Sequence, residues 1–326
     1  MFNPNKIFSI SNSQEFESLA LEIFAFQYQK NEVYRQFCDI LGRNPKNVYG
    51  LDMLPFLPIE LFKSHKILSS KKSAETIFTS SGTTGDQISS HYITDLVVYE
   101  KSFRKAFQYF YENIKDYAVL ALLPSYLERE GSSLVYMVND FIEMSENTHS
   151  GFYLNNLSEL KEKLAQLDKS GQKILLIGVS FALLDLVEHH TFPLKNTIVM
   201  ETGGMKGRRK EMIRPELHKI LKTGFGVSKI HSEYGMTELL SQAYSKGNGV
   251  FECPPWMQVL VRDPEDALSI FPQEKTGGLN CIDLANINSC SFIATQDLGK
   301  IRKDGKFEVL GRFDNSDIRG CNLMVL

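Results

Sequence analysis

The sequence predicts an α/β fold, a mostly parallel sheet flanked by helices with a smaller β-rich region near the C-terminus. Three observations lead to it. The run Tyr117–Leu123 is continuously apolar, as a strand covered on both faces must be. Strand-like and helix-like patterns alternate from about residue 95 to residue 232, the signature of repeated β-α units. From about residue 249 the pattern changes to short strands and turns.

In order along the chain, Phe16, Leu19, Ala20, Ile23, Phe24, Phe37 and Leu41 recur at near-helical spacing. They predict a long amphipathic helix over 13–41, N-capped at Ser13, broken near Asn31 and followed by Gly42. The segment 50–62 carries apolar pairs around Pro55 and Pro58 and reads as extended core wall. A short apolar run, Thr76-Ile77-Phe78, precedes a loop. Asp95 can cap a helix whose Leu96, Tyr99, Phe103, Phe107, Phe110 and Ile114 share one face; that aromatic stripe reads as core. Gly131-Ser132-Ser133 opens a further helix through Met144. The alternation continues with helices near 157–168, 180–189 and 208–222, and strands at 173–179, 197–201 and 229–232. Short strands follow at 256–262, 278–284, 291–294 and 307–310.

Composition narrows the class. With 326 residues, 43% hydrophobic and 23% charged, the chain is an ordinary globular protein with ample core. A net charge of −3 gives no sign of a nucleic-acid or membrane surface. No apolar run approaches the ~20 residues of a membrane span, and the N-terminus lacks a signal-peptide layout; a cytoplasmic protein is expected. Five scattered cysteines, Cys38, Cys253, Cys281, Cys290 and Cys321, fit free thiols better than a disulfide framework. His189 and His190, being adjacent, point different ways on a helix and are weak metal ligands.

The chemistry is expected to centre on Thr79-Ser80-Ser81-Gly82-Thr83-Thr84-Gly85. Five hydroxyls and two glycines are poor material for a helix or strand interior. As a loop leaving a strand end, they can wrap phosphates with backbone N–H groups and hydroxyls. A plain Ser/Thr/Gly linker is the competing reading, and the Gly-Lys-Ser/Thr ending of a Walker loop is missing. Other strand ends or turns offer the rest of a nucleotide site. Glu201-Thr202-Gly203-Gly204-Met205 has small residues that let backbone approach a flat base. His231 to Glu238 combines the Tyr234 ring for stacking, the Thr237 hydroxyl for phosphate and the Glu238 carboxylate for Mg²⁺. His231 can orient a phosphate or be structural. Asp297 can accept from both ribose hydroxyls, with Arg312 as a matching donor.

In this order the motifs resemble the adenylate-forming superfamily of acyl-CoA synthetases, luciferases and adenylation domains, from residue 79 to the end. Tyr234-Gly235-Met236-Thr237-Glu238 is similar to its Tyr-Gly-x-Thr-Glu signature. Thr79–Gly85 resembles its phosphate loop, Gly203-Gly204 its adenine-side glycines, and Gly311-Arg312-Phe313-Asp314 the start of its hinge motif. The resemblance implies the superfamily's large N-terminal domain. Residues 1–75 would be a helical lead-in, 76–248 the nucleotide-binding core, and 249–326 a β-rich subdomain ending at the hinge motif. Ser80, Ser81, Gly82, Thr83, Thr84 and Gly85 would hold phosphates of ATP, Gly203, Gly204 and Tyr234 the adenine, and Asp297 and Arg312 the ribose. Thr237 would bind phosphate and Glu238 Mg²⁺.

Two departures stand out. Asp86-Gln87-Ile88 replaces the Pro-Lys pair that normally follows the phosphate loop, and one of the basic residues Lys206, Arg208, Arg209 and Lys210 could replace that lysine. The chain stops soon after Gly311, without the superfamily's small C-terminal domain. Together with the ending Ile318-Arg319-Gly320-Cys321-Asn322-Leu323, this resembles the acyl-protein synthetase branch, which is similar to phenylacetate-CoA ligases. That resemblance implies ATP-dependent activation of a carboxylic acid, fatty or aryl, with acyl transfer to the chain's own Cys321. A buried structural role for Cys321 is the alternative. Other readings are transfer to coenzyme A or a carrier or reductase protein with a partner closing the site, and a non-catalytic nucleotide-binding subunit.

Overall fold

The computed structural model describes residues 4–80, 88–123, 131–203 and 212–313. The lead-in forms α1 (Ser13–Lys30) and α2 (Glu32–Ile40), broken at Asn31 as the pattern predicts. Their apolar stripe is buried through Phe16, Leu19, Ile23 and Phe24. The first cap lies one residue earlier than expected. Asn12 Oδ1, not Ser13, accepts the Glu15 N–H at 2.9 Å, which leaves Ser13 as the first helical residue. A two-residue strand β1 (Leu57–Pro58) and a single turn α3 (Leu61–Ser64) interrupt the expected extended wall.

Next comes an antiparallel hairpin, β2 (Thr76–Thr79) and β3 (Ser90–Ile93), which forms a separate two-stranded sheet. The hydroxyl-rich stretch thus leaves a strand end, but not one of the parallel sheet. Strand β3 was not expected from sequence, because four residues give too little alternation to distinguish a strand from a loop. Helix α4 (Leu96–Tyr111) follows. Asp95 occupies its N-cap position without a side-chain cap bond, and Glu75 Oε2 accepts the Leu96 N–H at 2.9 Å instead.

The alternating units are β4 (Tyr117–Leu122), α5 (Ser133–Ser145), β5 (Gly151–Phe152), α6 (Leu157–Lys169), β6 (Lys173–Gly178), α7 (Ser180–His189), β7 (Thr197–Thr202), α8 (Arg214–Phe225) and β8 (His231–Tyr234). Every residue of β4 is buried, which explains its unbroken apolar sequence. Strands β4 to β8 pair in parallel in the order 5-4-6-7-8. From β9 (Ala243–Ser245) onward the strands pair with one another antiparallel, through β10 (Val250–Glu252), β11 (Met257–Arg262), β12 (Thr276–Asp283), β13 (Phe292–Ile301) and β14 (Phe307–Arg312), while β1 joins β13 in parallel. Among the described residues the two halves form one twelve-stranded sheet, joined by the β8–β9 and β10–β14 pairs. No helix of the described residues is long and apolar enough to cross a membrane.

A buried irregular segment, 284–291, ties the lead-in to this sheet. Gln27 Nε2 donates to the Asn286 and Ile287 carbonyls, and its Oε1 accepts from the Ser291 N–H. Asn31 Nδ2 donates to the Ser289 carbonyl at 3.0 Å. Gln27→Ala would strand these buried backbone groups, so it is expected to cost about 2–4 kcal/mol, read as a lower denaturant midpoint with an unchanged slope.

Candidate active site

Three residues far apart in sequence meet at the junction of the two halves of the sheet. The Tyr234 hydroxyl donates to Asp297 Oδ2 at 2.8 Å, and Arg312 Nε donates to Asp297 Oδ1 at 3.1 Å. The sheet dictates this meeting, since Asp297 and Arg312 are direct partners across β13 and β14. Asp297 therefore lies inside a ten-residue strand, not at a strand end or turn as its Gly-flanked sequence suggested. The β13–β14 register shifts between Leu298 and Gly299, and such an irregularity re-aims nearby side chains. Tyr234 and Asp297 are buried at 8% and 6% exposure, whereas the Arg312 side chain is 76% exposed. A carboxylate accepts about four hydrogen bonds. Asp297 can thus receive further donors, and the outer guanidinium nitrogens of Arg312 face solvent.

Tyr234 ends β8, and the turn after it carries Thr237 and Glu238. Glu238 is 5% exposed. Burial raises its pKa, against the lowering effects of the Ser89 hydroxyl, its own backbone N–H and the more distant Arg312 and Lys63. The turn is held from beneath by groups that no sequence motif revealed. His91 of β3 is fully buried; its Nδ1 lies 2.8 Å from the Thr237 carbonyl oxygen and its Nε2 3.1 Å from Asn286 Oδ1. Burial pushes His91 down to about 4, so the ring is neutral and has one N–H to give to these two acceptors. Asn286 Nδ2 donates to the Glu238 carbonyl at 2.7 Å, and Asp283 accepts the Leu240 and Ser241 N–H groups at 2.7 and 2.9 Å.

The base of the hydroxyl-rich stretch is equally fixed. Ser80 Oγ accepts the Ser89 N–H at 2.9 Å, closing the hairpin. The Thr79 N–H donates to the Gly131 carbonyl at 2.7 Å. Gly131 has φ +79°, and a Cβ there would lie 3.1 Å from Thr79 Oγ1, so glycine suits this contact on both counts. Gly203 follows β7 with φ +30° and open space where a Cβ would be. Ser81, Gly82, Thr83, Thr84, Gly85, Gly204, Cys321 and the basic residues 206–210 lie outside the described residues.

Beneath Gly203 the Glu201 carboxylate is buried at the end of β7. Burial raises its pKa, but His218, Arg214 and Ser232 together hold it below the ordinary value. Arg214 joins it from α8 at 3.3 Å and also donates to the Val309 carbonyl. His231 opens β8, with Nδ1 3.1 Å from the Tyr111 hydroxyl. Cys38, Cys281 and Cys290 are buried core thiols.

The family model for acyl-protein synthetase, LuxE, matches residues 6–326. The long-chain-fatty-acid–luciferin-component ligase of Aliivibrio fischeri is 24% identical over 94% of this chain and 86% of its own length. Among solved structures, an open 2-hydroxyisobutyryl-CoA ligase with 2-HIB-AMP and CoA is 12% identical with a TM-score of 0.70, covering 93% of this chain and 70% of that one. ATP-bound MatB from Rhodopseudomonas palustris is 15% identical with a TM-score of 0.56, covering 74% of this chain. The chain spans about half of the MatB length, 49%. At these identities the two structures share the fold.

One carboxyl gives a pH test. Burial, with the nearby Glu201 charge, raises Glu233 from 4.5 to about 8. Between those values the unfolded chain loses a proton that the folded chain keeps, so this group's contribution lowers stability as pH rises. Glu233→Gln is expected to gain on the wild type across that window, by about 2–8 °C in melting midpoint; calorimetry of both proteins from pH 5 to 8 reads the difference.

Proposed function

Because the chain belongs to the LuxE acyl-protein synthetase family, we propose that it activates a fatty or aryl carboxylic acid with ATP and Mg²⁺, releasing pyrophosphate, and passes the acyl group to a thiol. The first candidate for that thiol is its own Cys321. One observation carries the reading: Tyr234 and Arg312 converge on the Asp297 carboxylate, the three residues coming from three separate strands. A half-satisfied buried carboxylate beside an exposed guanidinium suits a ribose diol, to which Asp297 accepts hydrogen bonds and Arg312 donates them.

The remaining roles follow from position. Tyr234, its hydroxyl fixed by Asp297, offers a ring face to the adenine, and Gly203 with Gly204 lets backbone approach the base. Ser80, Ser81, Gly82, Thr83, Thr84 and Gly85 hold the phosphates through hydroxyls and backbone N–H groups. Thr237 binds phosphate at the turn that His91 and Asn286 hold. Glu238 suits a divalent ion, because burial raises its pKa and only partly countered, and an added cation offsets that penalty. Among the described residues no group of three or more His, Cys, Asp or Glu side chains gathers to hold a metal, so phosphate oxygens and water would complete the shell. Bound there, Mg²⁺ supplies charge neutralisation on the phosphates.

In the first step the acid's carboxylate attacks the α-phosphorus, the bond to the β-phosphate oxygen breaks and pyrophosphate leaves. In the second, a thiolate attacks the acyl carbon, AMP departs with the mixed-anhydride oxygen, and a thioester remains. Glu238→Ala and Asp297→Ala are each expected to lower acid-dependent AMP formation about 10²-fold or more. Intact-protein mass after incubation with ATP, Mg²⁺ and the acid should show a hydroxylamine-labile acyl adduct that Cys321→Ser abolishes. AMP release without an adduct would move the acceptor to coenzyme A or a carrier or reductase protein; nucleotide binding with no AMP from any acid would indicate a non-catalytic subunit.

A further inference from the structure

A cavity of about 330 Å³ lies between α8 and the sheet. Arg214, His218 and Lys222 of α8 form one wall; spaced four residues apart, they share one face of the helix. Lys229, the β9–β10 turn at Asn248 and Gly249, and Val309 of β14 close the other sides. Lys229 belongs to the segment that leads into β8, at the opposite end of that strand from Tyr234. None of the residues that line the cavity is among those given to ATP or the acid above. Its volume is at the lower end of natural ligand pockets, which suits a small molecule.

The charge on these walls is one-sided. Arg214 is balanced by Glu201, which it meets at 3.3 Å. Glu308 also lines the cavity, but Arg302 at 3.5 Å and Lys300 at 3.9 Å already share its carboxylate. Lys222 and Lys229 make no ion pair and no side-chain hydrogen bond among the described residues. Two ammonium groups without counter-charges thus line one concavity, and walls of low dielectric focus their field on an anion.

Arg214 is set in place before any ligand arrives. Its Nε donates to Glu201 and its Nη1 to the Val309 carbonyl at 2.9 Å, and the guanidinium lies over the Phe251 ring, 5.0 Å from its centroid. Gly249 makes room for the stem, since a Cβ there would lie 2.9 Å from Arg214 Cδ, and its φ of +67° suits glycine as well. A guanidinium carries five N–H donors, so Nη2 keeps both of its own for a further acceptor among the described residues. The Lys229 stem is likewise packed, 3.3 Å from where a Cβ at Gly247 would be. One fixed guanidinium and two ammonium groups, reaching the cavity from different elements, match a tetrahedral dianion better than a planar monoanion: the arginine offers directed donors and the lysines compact charge.

We propose that this cavity binds a small phosphorylated anion, with Lys222 and Lys229 neutralising the phosphoryl charge and Arg214 orienting it, as a site separate from the one that holds the phosphates of ATP. A free phosphate or pyrophosphate and a phosphate monoester share this chemistry. The inference does not rest on the acid-activating reading and stands or falls by itself.

The test is titration calorimetry of the full chain with inorganic phosphate, pyrophosphate and glycerol 3-phosphate, at an ionic strength held constant with chloride. At least one of these should bind with a dissociation constant of about 1 mM or tighter. Lys222→Gln and Lys229→Gln should each weaken that binding roughly tenfold or more, whereas Lys222→Arg, which keeps the charge, should retain most of it. Melting curves of the unliganded variants report whether they fold. Tightest binding of glycerol 3-phosphate marks an esterified ligand, and tightest binding of phosphate or pyrophosphate a free one. Phosphate held by the hydroxyl-rich stretch would appear as a component that the lysine variants leave intact. Absence of binding by all three anions, or binding unchanged in either glutamine variant, overturns the assignment.

Discussion

The buried segment between β12 and β13 imposes the constraint on which the site depends. An irregular backbone in the interior cannot leave its N–H and C=O groups unpaired, and here the partners come from every surrounding element. Gln27 and Asn31 reach it from the lead-in helices. Asn286 within it and Asp283 at the end of β12 reach the backbone of the 237–241 turn, and His91 bridges that turn to the β2–β3 hairpin. The hairpin carrying the hydroxyl-rich stretch, the turn carrying Thr237 and Glu238, and the N-terminal helices are therefore joined through one polar node. Cooperative hydrogen bonding in a low-dielectric interior makes such a node stiff, and it also makes each omission costly.

The carboxyl groups around this node have been given different electrostatic settings. Asp297 has a tyrosine hydroxyl and a guanidinium on its two oxygens. Glu201, though buried, is held ionised by His218, Arg214 and Ser232. Burial raises both Glu233 and Glu238, but they face different surroundings, one against the tyrosines of α4 and the other beside Ser89 and within range of basic groups. Four acidic side chains thus sit in four different electrostatic settings. Side-chain type alone predicts none of these distinctions, because desolvation and neighbours set them.

Much of the fold was legible in the chain because its signals are local. Continuous apolar runs marked β4, β6 and β7, and helical spacing with a break marked α1 and α2. The signals failed where elements are short or where a cap is supplied from afar: β3, β9 and β10 are three or four residues long, and the first turn of α4 is capped by Glu75. The site divides the same way. Tyr234, Thr237 and Glu238 stand out because they share one contiguous motif, whereas His91, Asp283 and Asn286 belong to no local pattern.

By itself the sequence determined the class of fold, the order of its elements and the set of residue types available for chemistry, since hydrophobic period and short contiguous motifs are properties of neighbouring residues. Tertiary structure decided which of those residues meet and in what state. The β13–β14 register placed Asp297 opposite Arg312 within a strand, and the end of β8 delivered Tyr234 to it. The pairing of β7, β8 and β9 lined up Thr202, Glu233 and Tyr244. Register is fixed by which face of each strand is buried across the whole sheet, and that information is not held by any one segment of the chain.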